Sequence, residues 1–140
     1  DFSARCPLRI LLVEDNPVNA HVAQKLLKRL GYSADWVVNG RKALERFAQH
    51  RYDVVLMDLQ MPEMGGLETT RVLLSGAITD PLPYVVALTA NARDDDREAC
   101  AAVGMNDFIS KPVQLDTLAA GLERAYRWTV SRDAHASPVS

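Results

Sequence analysis

The chain has 140 residues, of which 48% are hydrophobic and 24% are charged, as is typical of one globular domain with a sizeable core. Sixteen Lys and Arg residues stand against 18 Asp and Glu residues, giving a formal net charge of -2, which is too balanced for a nucleic-acid-binding or membrane-surface protein. The same composition excludes intrinsically disordered, collagen-like and low-complexity chains.

Neither a membrane span nor a secretory signal is visible in the sequence. No run approaches the roughly 18 apolar residues that cross a bilayer, and residues 1–7 lack the basic and then apolar order of a signal peptide. We therefore expect a cytoplasmic domain. Cys6 and Cys100 form no CxxC pair, which predicts two reduced thiols. Metal binding by His21, His50 or His135 is not expected, because these residues are scattered.

Five short apolar runs predict β-strands. They cover residues 8–13, 32–38, 52–57, 83–89 and 107–110. The first, third and fourth runs are nearly continuous in Val, Leu, Ile and Met, as expected for strands that are covered on both faces. The second run is more mixed and predicts an edge strand.

Segments with helical spacing separate these runs. Asn16 and Pro17 are typical of a helix N-cap and first turn, and this helix is predicted to end at Gly31, with a stripe formed by Val18, Val22, Leu26 and Leu30. Further helices are predicted near residues 44–47, 67–74, 94–104 and 115–125. Alternating strands and helices predict an α/β fold with a parallel sheet and helices on both faces.

Polar residues follow four of the five predicted strands. Glu14 and Asp15 follow the first strand, Asp58 follows the third, Thr89 ends the fourth, and Lys111 comes shortly after the fifth. Ligands of such sheets bind beyond the carboxyl ends of the strands, where the strand order reverses. If the first and third strands are neighbours at that point, three carboxylates share one small site.

A cluster of acids needs cationic partners. Two unit charges about 4 Å apart repel each other by roughly 4 kcal/mol at an effective dielectric near 20. Mg²⁺ binds one or two carboxylates together with phosphate oxygens and is the predicted cofactor. Lys111 adds a fixed positive charge and Thr89 a hydroxyl. This set suits phosphoryl transfer to a carboxylate, with Asp58 as the nucleophile.

Four motifs resemble those of the receiver domains of two-component signalling. They are LLVEDN at 11–16, VVLMDLQMPEMGG at 54–66, VVALTANA at 85–92 and GMNDFISKPV at 104–113. The resemblance implies a flavodoxin-like, doubly wound (βα)5 fold whose five-stranded parallel sheet has the order 2-1-3-4-5. We expect an N-terminal extension at 1–7, the receiver domain at 8–128, and a disordered tail at 129–140, where apolar residues are few.

By motif position, the resemblance implies a role for each polar residue. Asp58 would be the phosphoacceptor, and the Mg²⁺ ligands would be Glu14, Asp15, Asp58 and the backbone carbonyl of Gln60. Lys111 would pair with a phosphoryl oxygen, and Thr89 would be the switch hydroxyl. Gly65 departs from the family, which most often has Asp there, and the change is expected to loosen the loop after Asp58.

Phosphorylation is expected to act as a switch. Added charge at Asp58 would draw Thr89 inward, and Phe108, at the switch-aromatic position, would follow. The readout surface would consist of the predicted helix at 94–104, the strand at 107–110 and the helix at 115–125. The alternative for Phe108 is a plain core residue on a strand. Gln60 and Asn91 either tune hydrolysis of the acyl phosphate or are solvated loop residues.

The segments VEDN, MDLQMPEM and ALTANA are similar to the corresponding segments in receivers of hybrid sensor histidine kinases. This similarity implies a histidine kinase or histidine phosphotransfer domain as the partner, with no nucleic acid or membrane contact. The domain alone would not be an enzyme. The parent chain would be either a sensor kinase, membrane-bound or not, or a stand-alone regulator. Because the sequence begins at Asp1 rather than Met, we expect a fragment of a longer protein.

Two other functions are open. A phosphatase with an Asp nucleophile needs a second acid two residues after the nucleophile, where this chain has Gln60. A receiver-like binding module that never takes phosphate is disfavoured because all the required residues are present. A flavin or nucleotide binder is disfavoured because there is no GxGxxG or Walker motif.

Overall fold

The computed structural model describes residues 2–61, 64–90 and 94–136. No helix within these ranges is both long enough and apolar enough to cross a membrane. The elements follow one another along the chain as α1 (Phe2–Arg5), β1 (Ile10–Val13), α2 (Pro17–Arg29), β2 (Asp35–Val37), α3 (Gly40–Gln49), β3 (Val54–Asp58), α4 (Gly66–Leu73), β4 (Tyr84–Thr89), α5 (Asp94–Ala102), β5 (Asp107–Ser110) and α6 (Leu115–Ala136).

The five strands form one parallel sheet in the order β2-β1-β3-β4-β5. The predicted α/β class, strand order and edge position of β2 are confirmed. In the register, Val13 lies opposite Met57, and Asp58 lies opposite Leu88. Because the order reverses between β1 and β3, the residues that follow these two strands share one edge of the sheet.

Successive strand residues point to opposite faces of the sheet, and two hydrophobic cores result. On one face, α2 and α6 cover buried residues that include Leu12, Leu56, Val86 and Leu88. On the other, α3, α4 and α5 cover a set that includes Leu11, Val13, Val55 and Met57. The continuous apolar character of β1, β3 and β4 follows from this double burial.

The buried face of helix α2 differs from the predicted stripe. Ala20, Ala23 and Leu27 face the core, whereas Val18 and Val22 are 70% and 43% exposed. The two alanines are short, so the helix can lie close to the sheet at this face. The prediction that Val18 and Val22 share the apolar stripe with Leu30 is therefore corrected.

The N-terminal segment is part of the folded domain. Helix α1 brings the ring of Phe2 to a centroid distance of 6.2 Å from Tyr32, and the hydroxyl of Tyr32 donates to the carbonyl of Cys6 at 2.5 Å. Cys6 is buried, as is Cys100, and no disulfide bond joins them.

The C-terminal boundary also differs from the expectation of a tail that begins at residue 129. Helix α6 continues to Ala136, and Thr129 is buried. Arg132 donates to the carbonyl of Leu82 at 2.9 Å, approaches Asp53 Oδ1 at 3.4 Å, and lies 5.5 Å from the ring centroid of Trp128. Polar contacts with the N-terminal edge of the sheet thus hold a segment whose apolar residues are few.

This anchor predicts a loss of stability in Arg132→Ala. A hydrogen bond made by a charged group contributes about 1.5–3 kcal/mol, and we expect the free energy of unfolding to fall by about that amount in urea denaturation. Arg127→Ala is the control, because Arg127 lies on the same helix with a side chain that is 74% exposed and is expected to change stability by less than about 0.5 kcal/mol. Equal stability of the two variants would contradict the anchoring role.

Candidate functional site

The carboxyl ends of four strands deliver the polar residues of the site to one edge of the sheet. Glu14 follows β1, Asp58 ends β3, Thr89 ends β4, and Lys111 follows β5. Glu14 and Asp58 are 2% and 1% exposed, so two acidic side chains are buried side by side. Each of Glu14, Asp15 and Asp58 places one carboxylate oxygen within 4.8 Å of the others.

Lys111 joins two of these acids. Its ammonium lies 2.9 Å from Asp58 Oδ1 and 3.0 Å from Glu14 Oε1. The side chain of Lys111 is only 14% exposed, so water screens these ion pairs weakly. Burial alone would lower the pKa of Lys111, but Asp58 and Glu14 outweigh it and raise the pKa above its usual value. The lysine therefore stays charged.

The two carboxyl groups ionise differently because their surroundings differ. Burial, followed by the neighbouring Asp58, raises the pKa of Glu14 from 4.5 to about 7. Burial also opposes ionisation of Asp58, but Glu14, Lys111 and the backbone N–H of Gln60 hold the pKa of Asp58 below its usual value. That N–H donates to Asp58 Oδ1 at 3.0 Å. Asp58 is thus the group of this pair that keeps its negative charge.

One oxygen of the site is left without a partner. Asp58 Oδ2 is buried and has no hydrogen-bond partner among the described residues. A buried carboxylate oxygen without a partner is costly, and a cation or an electrophilic atom placed there would satisfy it. The oxygen ligands of Glu14, Asp15 and Asp58 suit a hard divalent cation. The residues that are present therefore fit Mg²⁺.

Local structure positions the acidic pair. Asn16 caps helix α2 by accepting from the backbone N–H groups of Val18 and Asn19 at 2.9 and 3.2 Å, and its own backbone N–H donates to Glu14 Oε2 at 3.2 Å. The cap predicted at Asn16 is confirmed. It connects the helix start directly to a site carboxylate.

Gly66 allows the start of helix α4 to lie close to the end of strand β3. A Cβ atom at this position would lie 2.5 Å from the backbone oxygen of Asp58, so only glycine lets helix α4 begin beside the end of β3. Gly65 is the N-cap of this helix and offers no side chain for capping. An Asp at this position would offer a carboxylate to cap the helix, and the loosening of the loop stays a prediction.

The predicted switch residues lie on β4 and β5. Thr89 is 2% exposed, and its carbonyl accepts from the backbone N–H of Lys111 at 2.7 Å. Phe108 is half-buried, and the guanidinium carbon of Arg97 lies 5.2 Å from its ring centroid. Gln60 is exposed, whereas Asn91 lies outside the described residues.

One contact at the site is not indicated by any sequence pattern. The indole Nε1–H of Trp36 donates to the backbone carbonyl of Glu14 at 2.7 Å. An aromatic residue on an edge strand predicts packing, and no motif marks Trp36 as a partner of the acidic pair. The register of β1 and β2, which pairs Leu12 with Trp36, was the information needed.

Comparisons with known proteins agree with this geometry. Residues 10–123 match the family model described as the response regulator receiver domain. The chain is 42% identical over 127 residues to hybrid signal transduction histidine kinase H of Dictyostelium discoideum, covering 87% of this chain and 9% of that protein. It is 43% identical over 117 residues to the aerobic respiration control sensor protein ArcB of Escherichia coli K12, covering 84% of this chain and 15% of that protein.

Solved structures show the same fold. The receiver domain of sensor histidine kinase PA1611 from Pseudomonas aeruginosa, which has a magnesium ion coordinated in its active site cleft, matches with a TM-score of 0.77 at 39% identity, over 86% of this chain and 98% of that one. The receiver domain of Ssk1 from Saccharomyces cerevisiae, crystallised with the histidine phosphotransfer protein Ypd1, matches with a TM-score of 0.78 at 25% identity, over 87% of this chain and 90% of that one.

The parallel sheet and the acidic pocket with its lysine define a signalling domain of the phosphorelay class. The chain belongs to the response regulator receiver domain family, and its relatives include receivers of hybrid histidine kinases. The resemblance seen in the motifs is confirmed. The chain spans 9% and 15% of the lengths of the two kinases named above.

The raised pKa of Glu14 predicts an unusual pH dependence in the absence of metal. Folding raises this pKa from 4.5 to about 7, so the folded state binds more protons than the unfolded state between these values, and stability falls as the pH rises. We expect the free energy of unfolding in EDTA to decrease by roughly 1–3 kcal/mol between pH 5 and pH 7.5. Asp58 has a lowered pKa, so its protonation lowers the stability only as the pH falls below about 4.

Glu14→Gln is the control for this measurement, because it removes the titrating group and keeps the shape of the side chain. The pH profile of this variant should be flatter over the same range. Parallel profiles for the variant and the unaltered chain would show that another group titrates.

Proposed function

We propose that Asp58 accepts a phosphoryl group from a phosphohistidine and that this phosphorylation changes the readout surface of the domain. The observation that carries this proposal is the lysine-bridged acid pair, in which Asp58 keeps its charge while its Oδ2 has no hydrogen-bond partner among the described residues. A carboxylate oxygen would attack phosphorus, the phosphorus–nitrogen bond of the donor would break, and the imidazole nitrogen would keep the bond's electron pair.

The residues around Asp58 serve this transfer by position and charge. The ammonium of Lys111 would pair with the phosphoryl oxygens instead of the carboxylate, since negative charge builds on those oxygens during the transfer. The hydroxyl of Thr89 would donate to one of them. Glu14, Asp15, Asp58 and the backbone carbonyl of Gln60 would hold Mg²⁺, which supplies positive charge that offsets repulsion between the acids and the incoming phosphoryl group.

The partner we propose is a histidine kinase or a histidine phosphotransfer domain, and the parent chain we propose is a hybrid sensor histidine kinase. The similarity to kinase receivers and to a receiver crystallised with a phosphotransfer protein supports both. Such a domain would work in the cytoplasm. It accepts one phosphoryl group per molecule, so by itself it is a stoichiometric acceptor rather than an enzyme.

The central test is labelling with acetyl phosphate and Mg²⁺, measured by intact-protein mass spectrometry. The unaltered chain should gain one phosphoryl group, and Asp58→Asn should gain none, because an amide oxygen is a poor nucleophile and cannot form the acyl phosphate. Asp80→Asn is the control, since Asp80 is an exposed residue before β4 and labelling should persist.

Three outcomes would contradict this role. Normal labelling of Asp58→Asn would place the acceptor elsewhere. Repeated release of phosphate from small esters such as p-nitrophenyl phosphate would indicate the phosphatase alternative, for which Gln60 replaces the required acid. No labelling of the unaltered chain would favour the binding module.

The switch role of Thr89 and Phe108 is tested by Thr89→Ala. Its hydroxyl is not the nucleophile, so labelling should still reach completion, although more slowly. The readout is the change in NMR chemical shifts at Phe108 and Arg97, which are in contact. We expect these changes to shrink in Thr89→Ala but to persist in the control Thr117→Ala, which alters an exposed threonine of α6. Equal changes in all three proteins would remove Thr89 from the switch.

A further inference from the structure

We propose that Trp36 is a positioning residue for the divalent cation site, in which its indole N–H fixes the peptide group between Glu14 and Asp15. This inference rests on the proposed function of that site. Trp36 would touch neither the phosphoryl group nor the cation. It would act through the backbone from which both acidic side chains project.

Strand β2 holds both polar groups of the Glu14 backbone. The N–H of Glu14 donates to the carbonyl of Val37 at 3.1 Å, and the carbonyl of Glu14 accepts from the indole of Trp36 at 2.7 Å. The regular pairing of β1 with β2 ends one residue earlier, at Val13 and Val37. A side chain therefore adds one hydrogen bond to the ladder at the point where the acidic pair begins.

The bond from Trp36 constrains the orientation of both acids. The carbonyl of Glu14 belongs to the peptide plane that joins Glu14 to Asp15, and rotation of that plane would turn the two side chains relative to each other. The Glu14 carboxylate is further held by Lys111 and by the backbone N–H of Asn16. Asp15 is more exposed, so the shared peptide plane is a major constraint on its orientation toward the cation.

The indole is itself well supported. Trp36 is half-buried and packs against the core formed by the sheet with α2 and α6. Gln24 of α2 donates to the carbonyl of Ala34, just before β2, at 3.4 Å. A partner fixed by packing can hold a ligand-bearing backbone in one orientation, and removing such an outer partner typically lowers metal affinity.

The first experiment measures Mg²⁺ binding to the metal-free protein by isothermal titration calorimetry. Trp36→Phe keeps an aromatic ring and removes the donor, and we expect it to bind Mg²⁺ about tenfold more weakly. Trp128→Phe is the matched control, because the sequence contains two Trp residues and Trp128 packs against Tyr84 and Arg132, which contacts the N-terminal edge of the sheet. Its affinity should equal that of the unaltered chain.

The second experiment uses the unaltered chain and does not depend on the folding of a variant. The indole ¹H–¹⁵N signal of Trp36 should move during a Mg²⁺ titration with the same dissociation constant as the amide of Asp15, while the Trp128 signal stays in place. A stationary Trp36 signal with a moving Asp15 amide would overturn the inference.

The remaining outcomes distinguish a failure of this inference from a failure of the proposed function on which it rests. If Trp36→Phe is less stable to heat yet binds Mg²⁺ like the unaltered chain, Trp36 only anchors the edge strand and the inference fails alone. If the unaltered chain does not bind Mg²⁺, the cation site itself fails, and this inference fails with it.

Discussion

The site depends on one interaction, the contact of the Lys111 ammonium with the two buried carboxylates of Glu14 and Asp58. Removing one partner of a buried ion pair leaves a charge without compensation and typically costs about 3–5 kcal/mol. Lys111 comes from the strand at one edge of the sheet, Asp58 from the centre, and Glu14 from the strand beyond. The pocket is therefore electrostatically complete only when strands far apart in the sequence have assembled.

The same interaction connects Asp58 to the strand that carries Phe108. Lys111 comes one residue after β5, and Phe108 lies on that strand three residues before it. The ammonium of Lys111 and the ring of Phe108 therefore belong to one short stretch of backbone, and the guanidinium of Arg97 lies against that ring. The strand is thus a short physical connection between Asp58 and the predicted readout surface.

The sequence predicted the features that follow from residue type and period. Continuous apolar runs marked β1, β3 and β4 because these strands are buried on both faces. Polar residues after the strands marked the site, although the strand order came from the family resemblance. The different ionisation of Glu14 and Asp58 was not predictable, because it arises from burial, from the contact between the two acids, and from Lys111 and the backbone of Gln60.

Other features escaped prediction for reasons of context. A helical period does not decide which side of α2 faces the sheet. The side with the short Ala20 and Ala23 is buried, and Val18 and Val22 are exposed. The end of α6 looked unable to pack because apolar residues are few, yet Arg132 is held by a carbonyl, a carboxylate and an aromatic ring. A count of apolar residues predicts only whether a segment can pack by hydrophobic burial, and it does not reveal polar contacts of this kind.

Helix α6 joins the two ends of the sheet. It has 22 residues, which gives a rod about 33 Å long at about 1.5 Å per residue. It begins shortly after Lys111, at the end of the sheet that carries Asp58, and its Arg132 end contacts the carbonyl of Leu82 at the opposite end. Because a continuous helix keeps a fixed length, this contact ties the loop that follows Lys111 to the opposite end of the sheet through one element.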